Sequence, residues 1–450
     1  MRTNPFSAIA VLLAFWAPAG RAQDVQEPPP MARNGFQLLN LSGYAVYYSS
    51  SLPANAYQPG AGQLLSDAGG GGSARLGWMS FGERSSFSFI YTPSFTGRAR
   101  YSEWNALNHT ASLTAITHPA PRWTLGFAVN GDYSSTDQFL FAPTAYSAAV
   151  AAPGQFTDLA AALLAGRFST PQLATLFTNA PTAQSPLRDL LYGQRMFTAG
   201  GQISLSYSSS PRLSFTFTGN GTRNQNVQND RVVAAGNGYV LAETTLGSGS
   251  ASFNYSLSPL TQLGGTVTVT RTVSPIYDAY TTTSLLTLGH TFAKRWLLQA
   301  HGGVGVSRPL FSKLVSLATS EHPIAGGSIG FRTFAHTCVA SFDRVVNDAY
   351  GTGATKSSNA GGTWRWSRPG SSWWLEAGGG WEQLQGMALF STSGWRANAG
   401  LGRLIGSHTT LLTQYAYLHY EGVAGGSAYK TGQSAVRVSV VWSPSPVVAQ

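Results

Sequence analysis

The side chains able to act as nucleophile, base or acid are scattered along this sequence and form no recognisable constellation. Gly326-Gly327-Ser328-Ile329-Gly330 has the Gly-x-Ser-x-Gly form of a hydrolase nucleophile elbow. That motif works only on a sharp strand-to-helix turn. Here it lies in a strand-like, glycine-rich stretch, so coincidence of composition explains it better. The histidines at 109, 118, 290, 301, 322, 336, 408 and 419 show no ligand spacing such as His-Glu-x-x-His. The single cysteine, Cys338, excludes a disulfide framework and a multi-cysteine metal site. Beside Ala340 and Phe342 it reads as a small apolar residue. No catalytic residue, metal or cofactor is expected, although a hydrolase assembled from Ser, His and Asp on different strands stays open.

Arginine shows the more coherent pattern. Arg98, Arg100, Arg212, Arg295, Arg332, Arg365, Arg396 and Arg437 take the polar parity of alternating segments, where the acids Asp132, Asp343 and Glu376 also fall. Guanidinium binds carboxylate and phosphate in a forked geometry, and basic groups lining a low-dielectric pore focus a field that favours anions. An anion-binding lumen is therefore one expectation. Bracing pairs with the acids, or rim positions facing lipid phosphates, are the alternatives. Arg271 takes the apolar parity and is expected near a rim.

These arginines must be carried by strands. Leu213, Phe215, Phe217 and Gly219 alternate with Ser214, Thr216, Thr218 and Asn220, and Leu263, Val267 and Val269 alternate with Thr266, Thr268 and Thr270. Successive strand side chains point to opposite faces, so each segment has one apolar and one polar face. Eighteen such segments are expected between 36 and 442, among them 36–48, 72–82, 281–292, 295–306, 408–420 and 433–442. Sixteen remain if Phe36–Tyr48, the weakest, or a hairpin is not embedded. Short turns (His118–Arg122, Ser208–Arg212, Ala293–Arg295, Gly406–His408) alternate with longer Gly-, Asn- and Ser-rich connections (Asn224–Gly238, Pro275–Tyr280, Ser307–His322, Gly422–Gly432). Glycines inside the segments, Gly400 and Gly402 among them, suit wall curvature.

Tryptophan marks one rim. Trp123, Trp296, Trp373 and Trp374 follow short turns, Trp364 and Trp366 precede one, and Trp442 ends the last segment. Indole prefers a membrane interface, half buried with its N–H wet, so Trp123, Trp296, Trp366, Trp373 and Trp442 are expected to form a girdle.

Composition agrees with a membrane barrel. Charged residues are 10%, against about 25% in soluble proteins, while aromatics reach 12% and glycine 51 of 450. No apolar run is long enough for a transmembrane helix. Arg2, the apolar run Phe6–Trp16 and the small residues Gly20 and Ala22 read as a secretory signal over 1–22. Its removal leaves 26 basic against 18 acidic residues, a net charge of +8. Residues 23–35 read as a flexible leader and 443–450 as a C-terminal extension. The connection 134–194 contains helix-like pieces, such as Phe156, Leu159, Ala160, Leu163 and Leu164, and is expected outside, folded over or into the barrel mouth.

The whole pattern resembles the bacterial outer-membrane β-barrel class, porin-like or associated with polysaccharide secretion, and carries no family-specific motif. The resemblance implies an all-β fold: a transmembrane antiparallel barrel of about 18 strands, with short helices in one long external loop. It implies the outer membrane of a Gram-negative-type bacterium, and the barrel-assembly machinery and membrane lipid as partners. A homo-oligomer is allowed and nucleic acid is not expected. Function follows only weakly from fold. A passive channel with a net basic polar lumen, for small anions or an anionic polysaccharide, is the leading expectation. A receptor, an adhesin or a structural partner of a secretion complex remains the alternative, with an enzyme behind both.

Overall fold

The structure is a computed structural model that describes residues 34–49, 66–100, 102, 105–135, 195–227, 243–258, 260–292, 295–313, 319–347, 355–367, 370–385, 390–424 and 427–444. The expected signal segment, most of the leader, the helix-like pieces of 134–194 and the last residues of the C-terminal extension lie outside the described residues.

Eighteen strands follow one another without interruption. They are β1 (Gly35–Tyr48), β2 (Asp67–Phe81), β3 (Ser85–Arg98), β4 (Ala106–Ala120), β5 (Trp123–Ser135) and β6 (Arg195–Ser210). Next come β7 (Leu213–Asn226), β8 (Thr244–Ser258), β9 (Thr261–Val273), β10 (Tyr277–Phe292), β11 (Trp296–Ser312) and β12 (Ser320–Arg332). The last six are β13 (His336–Asn347), β14 (Thr355–Ser367), β15 (Trp373–Gln385), β16 (Phe390–Ile405), β17 (Thr409–Ala424) and β18 (Ser427–Trp442). Each pairs antiparallel with the next, and β1 pairs with β18 from Leu41 opposite Trp442 to Tyr48 opposite Ala435. The sheet thereby closes into a barrel with no free edge. Phe36–Tyr48 is thus a full member of the wall, and the count is eighteen.

Exposure separates the two faces. On β7, Phe217 is 53% exposed while its neighbours Thr216 and Thr218 are nearly covered. On β9, Val267 and Val269 are exposed while Thr266 and Thr268 are buried. The apolar parity therefore faces outward, and the Ser, Thr, Gly and Asn parity lines the interior. Water cannot satisfy backbone groups inside a bilayer, and closing the ladder satisfies them within the chain.

The short turns and the longer connections gather at opposite ends. Two connections read as long in the sequence are short. β9 and β10 are joined by residues 274–276 only, and β17 and β18 by 425–426, with Ala424 opposite Ser427. Gly, Ser and Thr along these stretches look like loop, yet their backbones continue the ladder beyond the apolar band. For the same reason β2 begins at Asp67 and β11 runs on to Ser312.

Candidate functional site

The inner wall is the candidate site. Its floor is glycine, and the glycines let polar side chains meet across an intervening strand. Tyr44 on β1 donates to Thr96 Oγ1 on β3 at 3.2 Å, passing over Gly71 on β2, where a Cβ would lie 2.8 Å from the Tyr44 oxygen. His301 on β11 lies 3.2 Å from Asp343 on β13, over Gly326 on β12. Gln414 on β17 donates to Glu376 on β15 at 2.9 Å, over Gly400 on β16. Tyr420 on β17 donates to Glu382 on β15, over Gly394 on β16. The wall glycines are thus places where a side chain from a second-neighbour strand lies flat.

Four of the eight sequence-nominated arginines lie on this inner wall. Arg98 ends β3 and is buried, 3.4 Å from Asp67 at the start of β2, with its guanidinium 3.8 Å from the Tyr48 ring centre. Arg437 on β18 lies 4.3 Å from the Tyr44 ring centre. Arg365 on β14 lies 5.1 Å from the Trp374 ring centre. Arg396 on β16 pairs with Gly380 on β15 and Leu418 on β17.

The strand registers place Arg365 opposite Glu376, Glu376 opposite Gly400, Gly400 opposite Gln414, and Gln414 opposite Arg437. One circumferential row therefore reads Arg-Glu-Gly-Gln-Arg. The sequence gives no hint of it, because its members come from five strands.

The other four arginines differ. Arg212 and Arg295 do not line the lumen: they lie exposed in the short turns before β7 and β11. A turn residue lies outside the ladder, so strand parity does not assign it a face. Arg100 follows β3 at the long-connection rim, where its backbone N donates to Asp67 Oδ1 at 2.9 Å. Arg332 closes β12 opposite Thr337. Arg271, expected at a rim, pairs with Asp278 at 3.0 Å on the outer face near the long-connection end.

Acids are more numerous inside than the sequence reading allowed. Asp67 and Glu382 join Asp132, Asp343 and Glu376 on the inner wall, and Asp132 accepts from Thr110 Oγ1 at 2.8 Å. Ser328 of the Gly-x-Ser-x-Gly segment sits mid-strand on β12, opposite Gln299 and Ser341. The strand-to-helix turn that the motif requires is not present at that position.

Outside, Trp123, Trp296, Trp366, Trp373 and Trp442 all take the outward parity at the short-turn end. Trp296 packs against Phe292 and Phe331, and Trp373 lies under the Arg403 guanidinium at 4.8 Å. Trp374, expected at the same rim, turns inward and covers the space above Gly402, because consecutive strand residues cannot share a face. A second aromatic belt, unnoticed in the sequence, lies at the other end and includes Trp381, Trp395 and Tyr417. Trp123 and Tyr133 on β5 are ten positions apart. That is about 33 Å of strand, or about 25 Å across the membrane at a tilt of roughly 40°, the height of a barrel's apolar band.

The chain is an outer-membrane β-barrel. No protein-family model matches the sequence, and no curated protein matches it. Solved structures similar to it include OpdL of Pseudomonas aeruginosa, at 13% identity and a TM-score of 0.42, covering 92% of this chain and 99% of that one. OccK2 (OpdF) of Pseudomonas aeruginosa, solved in complex with glucuronate, is 11% identical with a TM-score of 0.45, covering 92% and 100%. A BenF-like porin from Pseudomonas fluorescens Pf-5 is 9% identical with a TM-score of 0.45, covering 91% and 98%.

Proposed function

We propose that this barrel is a passive channel for small polar solutes, with anion preference set by Arg365, Arg396 and Arg437. The observation that carries the reading is the polar, glycine-floored inner wall of a closed barrel, with the row from Arg365 to Arg437 running across it. Strand spacing puts those two residues, four strands apart, about 19 Å from one another around the wall. Such a row presents a cation at each end and a carboxylate between, a mixed surface that orders a dipolar or anionic solute while leaving it free to depart. An anionic polysaccharide is the larger solute that the same wall chemistry suits.

A second reading has its own observation. Towards the long-connection end, the inner-wall residues Ala416, Tyr420 and Gln433 are at most 1% exposed, and with Val46, Tyr48, Leu418 and Ala435 they form an apolar cluster. A wall that faces open water does not bury its side chains to this degree. This favours a barrel closed at that level, whose external side serves as receptor, adhesin or secretion-complex partner.

The two readings separate in a planar bilayer with a salt gradient. The channel reading expects steady conductance whose reversal potential moves towards cation preference in Arg365→Glu and Arg396→Glu. Arg212→Glu, in a short turn, serves as the control that leaves selectivity unchanged. A correctly folded barrel with no conductance overturns the channel reading.

A further inference from the structure

We propose that the short-turn rim is a binding belt for anionic phospholipid headgroups of the membrane leaflet at that end. The two ends of the barrel treat their charges differently. At the long-connection end, cations are paired with carboxylates: Arg98 with Asp67, Arg223 with Glu243, Arg271 with Asp278 and Lys430 with Glu421. At the short-turn end, Arg84, Arg122, Arg212 and Arg295 stand exposed in four separate turns. The acid in the described short turns is Glu83, beside Arg84. The polar contact of the Arg122 side chain is a 3.5 Å bond to the Ser209 carbonyl. Protein carboxylates therefore do not neutralise this belt.

Two independent features set the depth of these turns. Trp123 directly follows Arg122, and Trp296 directly follows Arg295, both pointing outward at the level where indole meets the headgroup region. The turn tips themselves also carry bare apolar side chains. Phe334, between β12 and β13, is 89% exposed, and Leu260, between β8 and β9, is 53% exposed. A phenyl ring left in water at a turn tip gains nothing, whereas at the acyl–headgroup boundary it is buried. The turns accordingly sit within the interface, and guanidinium groups at that depth meet phosphodiesters, which they bind as forked, charge-assisted pairs. An uncompensated cationic ring favours lipids with net negative charge over zwitterionic ones.

The test is native mass spectrometry of the refolded barrel released from mixed vesicles of phosphatidylglycerol and phosphatidylcholine. Wild type is expected to retain phosphatidylglycerol several-fold over its share in the vesicle. Replacing Arg84, Arg122, Arg212 and Arg295 together by Ser is expected to bring the ratio to that of the vesicle. Arg223→Ser with Arg271→Ser, at the opposite end, is expected to leave the enrichment in place. Heat-modifiable gel migration verifies that each variant is folded. Enrichment that survives the four-arginine variant, or that is lost equally in the opposite-end variant, overturns the belt. Displacement of the retained lipid by millimolar inorganic phosphate overturns it as well, since the site then recognises a free anion. Neither outcome depends on whether the barrel conducts.

Discussion

The phenol of Tyr420 donates to the carboxylate of Glu382 across a whole strand, through space that Gly394 leaves open. Both residues are buried, and the contact joins β17 to β15 with nothing from β16 but backbone. A side chain at 394 takes the place of the Tyr420 ring. Gly394→Val should therefore cost roughly 1–3 kcal/mol, the usual penalty of overpacking, seen as a lower urea midpoint for unfolding from lipid vesicles. Gly249→Val offers the contrast, since a Cβ there meets nothing within 4 Å, and it should change the midpoint by less than about 0.5 kcal/mol.

The same contact makes a prediction about polar satisfaction. Tyr420→Phe removes the donor and leaves a buried carboxylate without it, a loss of about 1–3 kcal/mol. Glu382→Leu together with Tyr420→Phe replaces both partners by apolar groups. It should recover part of that loss, measured as a coupling energy in a double-mutant cycle.

Trp373 and Trp374 are neighbours in sequence with opposite surroundings. Trp373 lies on the lipid side with Arg403, and Trp374 lies inside over Gly402. Quenching by brominated lipid should fall measurably in Trp373→Phe and stay at the wild-type level in Trp374→Phe. The reverse result would place the register of β15 one residue out.

The strands were legible because a membrane wall writes its two faces into the sequence with period two, as in Leu213–Asn220 and Leu263–Thr270. Two other properties were not. Strand length beyond the apolar band leaves no hydrophobic signal, so Tyr277–Tyr280 and the end of β17 look like loop. Contacts between second-neighbour strands have no sequence period at all: His301 and Asp343, or Glu376 and Gln414, meet because a glycine on a third segment makes room. The arginines divide in the same way. Arg365, Arg396 and Arg437 lie well inside strands, where parity assigns a face, whereas Arg212 and Arg295 lie in turns, where it does not.

Arg98 and Asp67 form the ion pair shielded most completely from water, with side chains 1% and 0% exposed. Asp67 also accepts from the backbone N of Ala68 and of Arg100. Arg98→Met strands a buried carboxylate and should cost about 3–5 kcal/mol. Adding Asp67→Asn removes the charge but keeps an oxygen for the two backbone donors, so the double variant should regain most of the loss. Equal midpoints for the single and double variants would show that Arg98 acts through packing on Tyr48 and not through charge.

Glu376 occupies the middle of the row that runs from Arg365 to Arg437, and its carboxylate accepts from Gln414. If solute crosses that row, the carboxylate opposes anions and the guanidinium groups favour them. Neutralising Glu376 as Gln keeps the shape and leaves two cations on the row, so the reversal potential in a salt gradient should move towards anion preference. Arg365→Gln removes one cation, and the potential should move the other way. Both shifts should shrink as salt approaches 1 M, where the screening length falls to about 3 Å. Opposite shifts for the two variants locate the permeation path at this row. Shifts of the same sign, or none in a conducting barrel, place the selective constriction elsewhere along the wall.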